Sequence, residues 1–157
     1  MISIDNFRTV IENTPLVSID FIIERNEKYL LGKRVNKPAQ GFWFTLGGRI
    51  FKNERIENAI KRLSEKEFNL EITQEMLEFH GVYEHFYEDS FFDNSISTHY
   101  VVLAYLLKID QELSLPNKEH CEYHYFSKNE LLDHLNVHKY VKNYFKENEW
   151  KIKKSHL

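Results

Sequence analysis

The chain has 157 residues, of which 42% are apolar, 29% charged and 15% aromatic, and its formal net charge is −3. Length and composition fit one folded domain spanning 1–157, and they exclude a disordered chain. The slight acidic balance excludes bulk nucleic-acid binding, which calls for a basic surplus, but leaves room for a small anion held by a few local arginines.

A single cysteine, Cys121, excludes an internal disulfide and is consistent with a reducing compartment. The N-terminal residues lack a basic segment followed by an apolar run, and no apolar run is long enough to span a bilayer. The expectation is a cytoplasmic protein with no membrane partner.

In chain order, Asp5 to Glu12 reads as a short helix with Phe7, Val10 and Ile11 on one side. Leu16 to Ile23 is rich in β-branched residues and reads as a strand, with Lys28 to Arg34 as its hairpin partner across Arg25-Asn26-Glu27. Lys37 to Gly41 is turn-forming. Phe42 to Leu46 follows as a short apolar strand, which Gly47-Gly48 is expected to break. Asn53 is a credible N-cap for a helix from about Glu54 to Phe68, with Ile56, Ile60 and Leu63 as its apolar stripe. Strands are expected at Leu77 to Tyr87, Thr98 to Ile109 and Tyr123 to Phe126, with a polar, lid-like segment from Glu88 to Ser97. Asn129 to Leu135 and Tyr140 to Trp150 read as helices, and Lys151 to Leu157 as a polar tail. Many strands with one central and one late helix predict a mixed α+β sandwich.

Glu67 is the first anomaly, because it falls on the apolar stripe of its helix. A buried carboxylate is costly unless a cation meets it. For a lone Glu, a helix end emerging into water is the simpler reading. The double glycine upstream changes the weighting, since it could bring the Gly47 carbonyl near Glu67. Such hard oxygens suit magnesium.

Gly48, five residues, Glu54, seven residues, Arg62, and then Glu67 and Leu70 resemble the frame of the Nudix box. Three positions depart from it. Leu63 stands where the first helical Glu is expected, Lys66 replaces the first of a paired Glu, and Asn69 replaces a Gly. Asn is tolerable there because it adopts the left-handed conformation at a helix end. The lost carboxylates argue against the multi-metal attack at phosphorus usual in that superfamily.

The chain further resembles the GDP-mannose mannosyl hydrolase branch. The stretches that carry this are Thr14-Pro-Leu-Val-Ser-Ile-Asp-Phe21, Leu30-Leu-Gly-Lys-Arg34, Pro38-Ala-Gln-Gly-Phe-Trp-Phe44, Gly47-Gly-Arg49, Tyr83-Glu-His-Phe-Tyr-Glu-Asp89, Thr98-His-Tyr-Val-Val-Leu103 and Glu119-His120.

That resemblance implies a Nudix fold, a mixed β-sheet sandwiched between α-helices. It implies Mg²⁺-dependent hydrolysis of GDP-mannose to GDP and mannose, by water attack at the anomeric carbon with inversion. GDP-glucose is an open alternative sugar donor. By the same resemblance, the metal would be held by the Gly47 carbonyl, Glu67 and Glu119, the last standing where familiar members carry Gln. His120 matches the general base, and with Arg34, Arg49 and Tyr100 it makes up the expected catalytic set. Arg34, Arg49 and Arg62 match positions that meet the diphosphate or support the site. Asp20, His85 and Tyr100 match positions near the sugar or leaving group, and Phe7 a position near the nucleotide. A homodimer is implied.

Taken singly, these residues have blander readings: Arg62 as a helix-surface charge, Phe7 as a core anchor, His120 as a loop residue. On a strand only one of His99 and Tyr100 can face a site. Two other functions stay open from sequence: a Nudix pyrophosphatase attacking phosphorus, and a catalytically silent Nudix domain that binds a nucleotide or a protein.

Overall fold

A computed structural model describes residues 2–116 and 120–146, with the backbone alone at His120 and Cys121. Helix α1 (Ile4–Asn13) starts one residue earlier than expected, because Ser3 caps it by accepting a hydrogen bond from the Asn6 amide at 3.3 Å. Ile11 is buried with Leu16 and Ile96, and Phe7 and Val10 pack on the same spot, which is the predicted face.

Strands β1 (Leu16–Arg25) and β2 (Lys28–Arg34) form the predicted hairpin. The turn is tighter than expected: Arg25 pairs with Lys28, so only Asn26 and Glu27 connect the strands. Both have positive φ, 51° and 62°, as a two-residue turn of this hand demands.

Along β1, side chains alternate between two environments. Ile19, Phe21 and Ile23 belong to the main apolar cluster, whereas Ser18 and Asp20 open into a cleft and Ile22 packs with Tyr144.

The sheet splits beyond the hairpin turn. β3 (Trp43–Phe44) pairs with β2, then the chain crosses at Thr45 and β4 (Leu46–Arg49) pairs antiparallel with β1, Asp20 opposite Gly47. This corrects the expectation that Gly47-Gly48 breaks the strand: β4 runs through both. The glycines serve close approach. A Cβ on Gly47 would sit 2.1 Å from the Ile19 carbonyl oxygen, and one on Gly48 would sit 2.5 Å from a Leu63 methyl.

Helix α2 (Ile56–Phe68) starts later than predicted. Asn53 takes a left-handed φ of 65° and so cannot be the N-cap; Arg55 stands there without a side-chain cap bond. Glu54 stays off the helix because its carboxylate is used locally, accepting from the Phe51 amide at 3.1 Å and from Arg62 at 2.7 and 2.8 Å. Ile56, placed on the apolar stripe from sequence, is 39% exposed. The buried face is Ala59, Ile60, Leu63, Ser64, Glu67 and Phe68. Each fully buried Ile, Leu or Phe there contributes about 1.5–3 kcal/mol of transfer free energy. Asn69 ends the helix in the left-handed conformation, at φ 51° and ψ 36°.

After a single 3₁₀ turn, β5 (Glu78–Tyr87) and β6 (Thr98–Lys108) pair antiparallel, and β6 runs parallel to β1. β7 (His120–Ser127) is longer than the expected Tyr123 to Phe126 because it follows β2 along its whole length. Among the described residues, seven strands thus form one mixed sheet.

Short helices α3 (Lys128–Asp133) and α4 (Lys139–Asn143) carry Leu131 and Val141 into a second core with Leu31, Phe44 and Phe126. α4 ends before Tyr144, not at Trp150. The Tyr144 carbonyl is taken by His80 Nε2 at 2.6 Å, which removes a helical acceptor, and the turns beyond close with shorter-range bonds. Residues 147–150 of the expected helix and the expected polar tail lie outside the described residues. No helix among those described is long and apolar enough to cross a membrane.

Candidate active site

The split between β3 and β4 opens a cleft whose floor is buried and polar. Asp20, 7% exposed, accepts at Oδ2 from Thr45 Oγ1 at 2.9 Å and from the Tyr144 hydroxyl. The Tyr144 oxygen lies 3.3 Å from His85 Nε2, and His85 Nδ1 lies 3.5 Å from the Tyr87 hydroxyl. One proton arrangement satisfies the chain: Tyr87 donates to Nδ1, Nε2–H donates to Tyr144, and Tyr144 donates to Asp20. The His85 ring lies flat on Tyr140, centroids 4.4 Å apart, and His138 packs on Phe44 and Tyr140.

Burial governs the protonation of this floor. It pushes the Asp20 carboxyl up to about 6, although hydrogen bonds from Tyr144 and Thr45 and the charge of Arg34 pull the other way. Burial, helped by neighbouring His138, brings His85 down to about 3. Burial, then the charges of Lys139 and Arg34, bring His138 down to about 4. Both rings are therefore neutral near pH 7, while Asp20 titrates close to it.

The outer part of the cleft has the opposite character. Arg34 ends β2 and donates from Nε to the Pro38 carbonyl at 2.8 Å. The Arg49 guanidinium lies 4.2 Å from the Phe7 ring centroid and 5.1 Å from that of Phe51, and Arg62 covers Phe51 at 3.8 Å. These rings form an alternating column of arginine and phenylalanine. Arg62 is also tied down, bidentate to Glu54 and donating to the Arg49 carbonyl at 2.8 Å. Partial burial lowers the Arg49 pKa, and the nearby Arg62 charge adds to this. Lys37 and Lys66 line the same space, and among the described residues lining it none is a carboxylate.

Residues 14–147 match the family model described as the NUDIX domain. The chain belongs to the Nudix hydrolase family. It is 33% identical over 140 residues to the low-salt glycan biosynthesis protein Agl8 of Haloferax volcanii, which covers 89% of this chain and 86% of that protein. Its fold is similar to a MutT Nudix hydrolase from Burkholderia pseudomallei, with a TM-score of 0.69 and 22% identity over 84% of this chain and 96% of that one. It is also similar to the Nudix domain of Shewanella oneidensis NrtR, solved with ADP-ribose, with a TM-score of 0.64 and 13% identity over 99% of this chain and all (100%) of that one.

Within this Nudix fold, most of the residues singled out from sequence meet. Phe7, Asp20, Arg34, Gly47, Arg49, Arg62, His85 and Tyr100 all line the two contiguous parts of the cleft. Tyr100 and Arg49 belong to both parts, and His99 turns away from them to stack on Phe86 at 4.4 Å. The β2–β7 register sets the His120 backbone opposite Arg34. Glu119 lies outside the described residues. Glu67 is buried on α2, 4% exposed, and is not part of the cleft lining.

Nudix hydrolases commonly use divalent metals. The donors present here, the Gly47 carbonyl and the Glu67 carboxylate, are hard oxygens of the right chemistry. Among the described residues no three His, Cys, Asp or Glu gather as a cation cage. Leu63 packs against Gly48 and Lys66 lines the cleft, both at positions where the box carries acids.

The segment from Glu88 to Ser97 packs against α1 and the start of β6. Phe92 meets Phe7 edge-on at 5.6 Å, Asp93 reaches Arg8 at 3.8 Å, and Thr98 Oγ1 donates to the Asp89 carbonyl at 2.8 Å.

Sequence reasoning missed Thr45, Tyr87, Tyr140, His138 and Tyr144 as parts of the floor. One signal was present: Tyr140 and Tyr144 are four residues apart, so a helical turn puts both on one face.

Proposed function

We propose that the protein hydrolyses GDP-mannose, or the closely related GDP-glucose, by attack of water on the anomeric carbon, releasing GDP and the inverted free sugar. The observation that carries this reading is the contrast within one cleft: a buried, hydrogen-bonding floor adjoining a cationic mouth. A nucleotide sugar has the same contrast, with hydroxyls at one end and a diphosphate at the other. Leu63 and Lys66 support attack at carbon, because they remove acids that metal-assisted attack at phosphorus uses. A relative named for glycan biosynthesis fits a nucleotide-sugar substrate.

In this reading the water oxygen bonds to the sugar's anomeric carbon, and the electron pair of the carbon–oxygen bond leaves with the β-phosphate oxygen of GDP. His120 takes the proton from water; an ordinary imidazole, with a pKa of ~6.5, is suited to this near neutrality. Asp20 and His85 receive sugar hydroxyls at the floor. Arg34 and Arg49 stabilise the departing diphosphate through directed N–H groups, and Tyr100 sits between them and the floor. Arg62, bound to Glu54, holds the Arg49 backbone in place. Phe7 offers an aromatic face beside the nucleotide. A divalent cation held by the Gly47 carbonyl, Glu67 and Glu119 would supply further charge neutralisation on the diphosphate. The assembly is a homodimer and the compartment the cytoplasm.

Incubation with GDP-mannose and Mg²⁺ tests the reading. The expected products are GDP and mannose. GMP with mannose 1-phosphate would mean attack at phosphorus, and absence of turnover would leave a binding domain. His120→Ala should lower turnover by about 10²–10⁴-fold, the usual share of a general base, with GDP affinity retained. A rate near wild type removes His120 from that role.

A further inference from the structure

We infer that Tyr144 is a positioning residue for the cleft floor: its hydroxyl holds one oxygen of the Asp20 carboxylate and leaves the other for a ligand, and it fixes the N–H of the His85 ring at Nε2. The inference rests on the proposed nucleotide-sugar reading and deepens it, because Asp20 and His85 are the groups that reading sets against the sugar. Tyr144 itself does not reach a ligand. It is 1% exposed and is absent from the cleft lining, to which Asp20 and His85 both belong. Its ring packs with Ile22 and Ala104 and meets Tyr83 edge-on at 4.7 Å, and its carbonyl is taken by His80 Nε2 at 2.6 Å. Ring and backbone are thus held by groups outside the floor, and this sets where the hydroxyl stands.

That hydroxyl has one proton to give. It goes to Asp20 Oδ2, which also accepts from Thr45 Oγ1 at 2.9 Å. Two donors on one oxygen fix the carboxylate, and Oδ1 has no hydrogen-bond partner among the described residues. Oδ1 lies against Gly47, where a Cβ would sit 3.0 Å from it, and Gly47 lines the cleft. With its proton given to Asp20, the Tyr144 oxygen can only accept from His85 Nε2, at 3.3 Å. His85 is neutral near pH 7, because burial brings it down to about 3, so it has a single N–H to place. That N–H sits at Nε2, and Nδ1 is left as an acceptor facing the Tyr87 hydroxyl. A plainer role for Tyr144 is to pack on the sheet. Phenylalanine would serve that role equally, so it predicts no change in the floor when the hydroxyl alone is removed.

Tyr144→Phe is therefore the test, with two readouts. The first is ¹⁵N NMR of imidazole-labelled protein without ligand, at mildly alkaline pH, the His85 signals being assigned by their loss in His85→Gln. Wild type should show His85 protonated at Nε2, and Tyr144→Phe should shift it to a mixture of tautomers. The second is turnover of GDP-mannose with Mg²⁺, where Tyr144→Phe should lower kcat about tenfold, the share of one hydrogen bond to a charged group, with GDP affinity as in wild type. Ile60→Val is the control: it loosens the main apolar cluster without touching the floor, and should change neither readout. Thermal melts of each variant confirm that it is folded. A wild-type His85 protonated at Nδ1 overturns the inference. So does a Tyr144→Phe variant with the wild-type tautomer or the wild-type kcat, or the same changes in Ile60→Val. If wild type does not turn over GDP-mannose, the proposed substrate fails, and the tautomer alone decides the role of Tyr144.

Discussion

At the floor of the cleft, Asp20 and His85 are 7% and 3% exposed, and Thr45, Tyr144 and Tyr87 hydrogen-bond with them. At the mouth, Arg49 and Arg62 are stacked on phenylalanine faces, and only Arg62 has a carboxylate partner among the described residues. In the proposed reading the floor discriminates by geometry, through fixed hydrogen-bonding groups in a desolvated pocket. On the same reading the mouth discriminates by charge, chiefly through the Arg49 guanidinium, which aromatic faces support. One ligand, as proposed, answers both, with its sugar at the floor and its diphosphate at the mouth.

Kinetics should separate the two regions by the largest margin. Asp20→Asn should lower turnover of GDP-mannose by about 10²-fold while GDP binds as before, since the lost contacts lie with the sugar. Arg49→Ala should weaken GDP itself, by about 10-fold or more, and lower turnover as well. Equal loss of GDP affinity in both variants would erase the distinction between floor and mouth.

A smaller effect concerns the stability of the floor. Tyr144→Phe removes one of two donors to a buried carboxylate and should cost about 1–3 kcal/mol, read from the denaturant midpoint. A change too small to measure would mean that the Tyr144–Asp20–His85 chain is not a structural unit.

The smallest effect is on the pH dependence. Asp20 has its pKa raised from 3.8 to about 6, so the folded chain keeps a proton there that the unfolded chain releases, and stability is lost as pH rises through that interval. His85 and His138 have theirs lowered from 6.5 to about 3 and about 4, so the unfolded chain binds protons that the folded chain refuses, and stability is lost as pH falls below 6.5. Two histidines outweigh one carboxylate, and acidification should destabilise the protein. Asp20→Asn removes the opposing contribution and should make that decline steeper. An unchanged slope would show that Asp20 does not hold its proton in the folded state.

The mouth was more legible in sequence than the floor, for a physical reason. Arg49 and Arg62 lie in short local frames around a glycine pair and a helix, Arg34 closes the β1–β2 hairpin's second strand, and β1, β2, α1 and the body of α2 follow from periodicity and turn chemistry within a few residues. The left-handed ending at Asn69 was equally local. The floor is assembled from β1, β5, α4 and the crossing at Thr45, and its members are joined only by long-range packing. Tyr144 and Asp20 are 124 positions apart and still share a hydrogen bond. Gly47 and Gly48 were misread for the same reason: their lack of a side chain answers Ile19 and Leu63 across the structure, not a local turn. Glu54 was placed in the helix because its ion pair with Arg62, although close in sequence, is not visible in helical periodicity.

The decisive measurement is hydrolysis of GDP-mannose in ¹⁸O-labelled water with mass analysis of both products. Attack at carbon predicts the label in mannose and unlabelled GDP. Label in a phosphate group would contradict it and return the site to the phosphorus chemistry that Leu63 and Lys66 argue against.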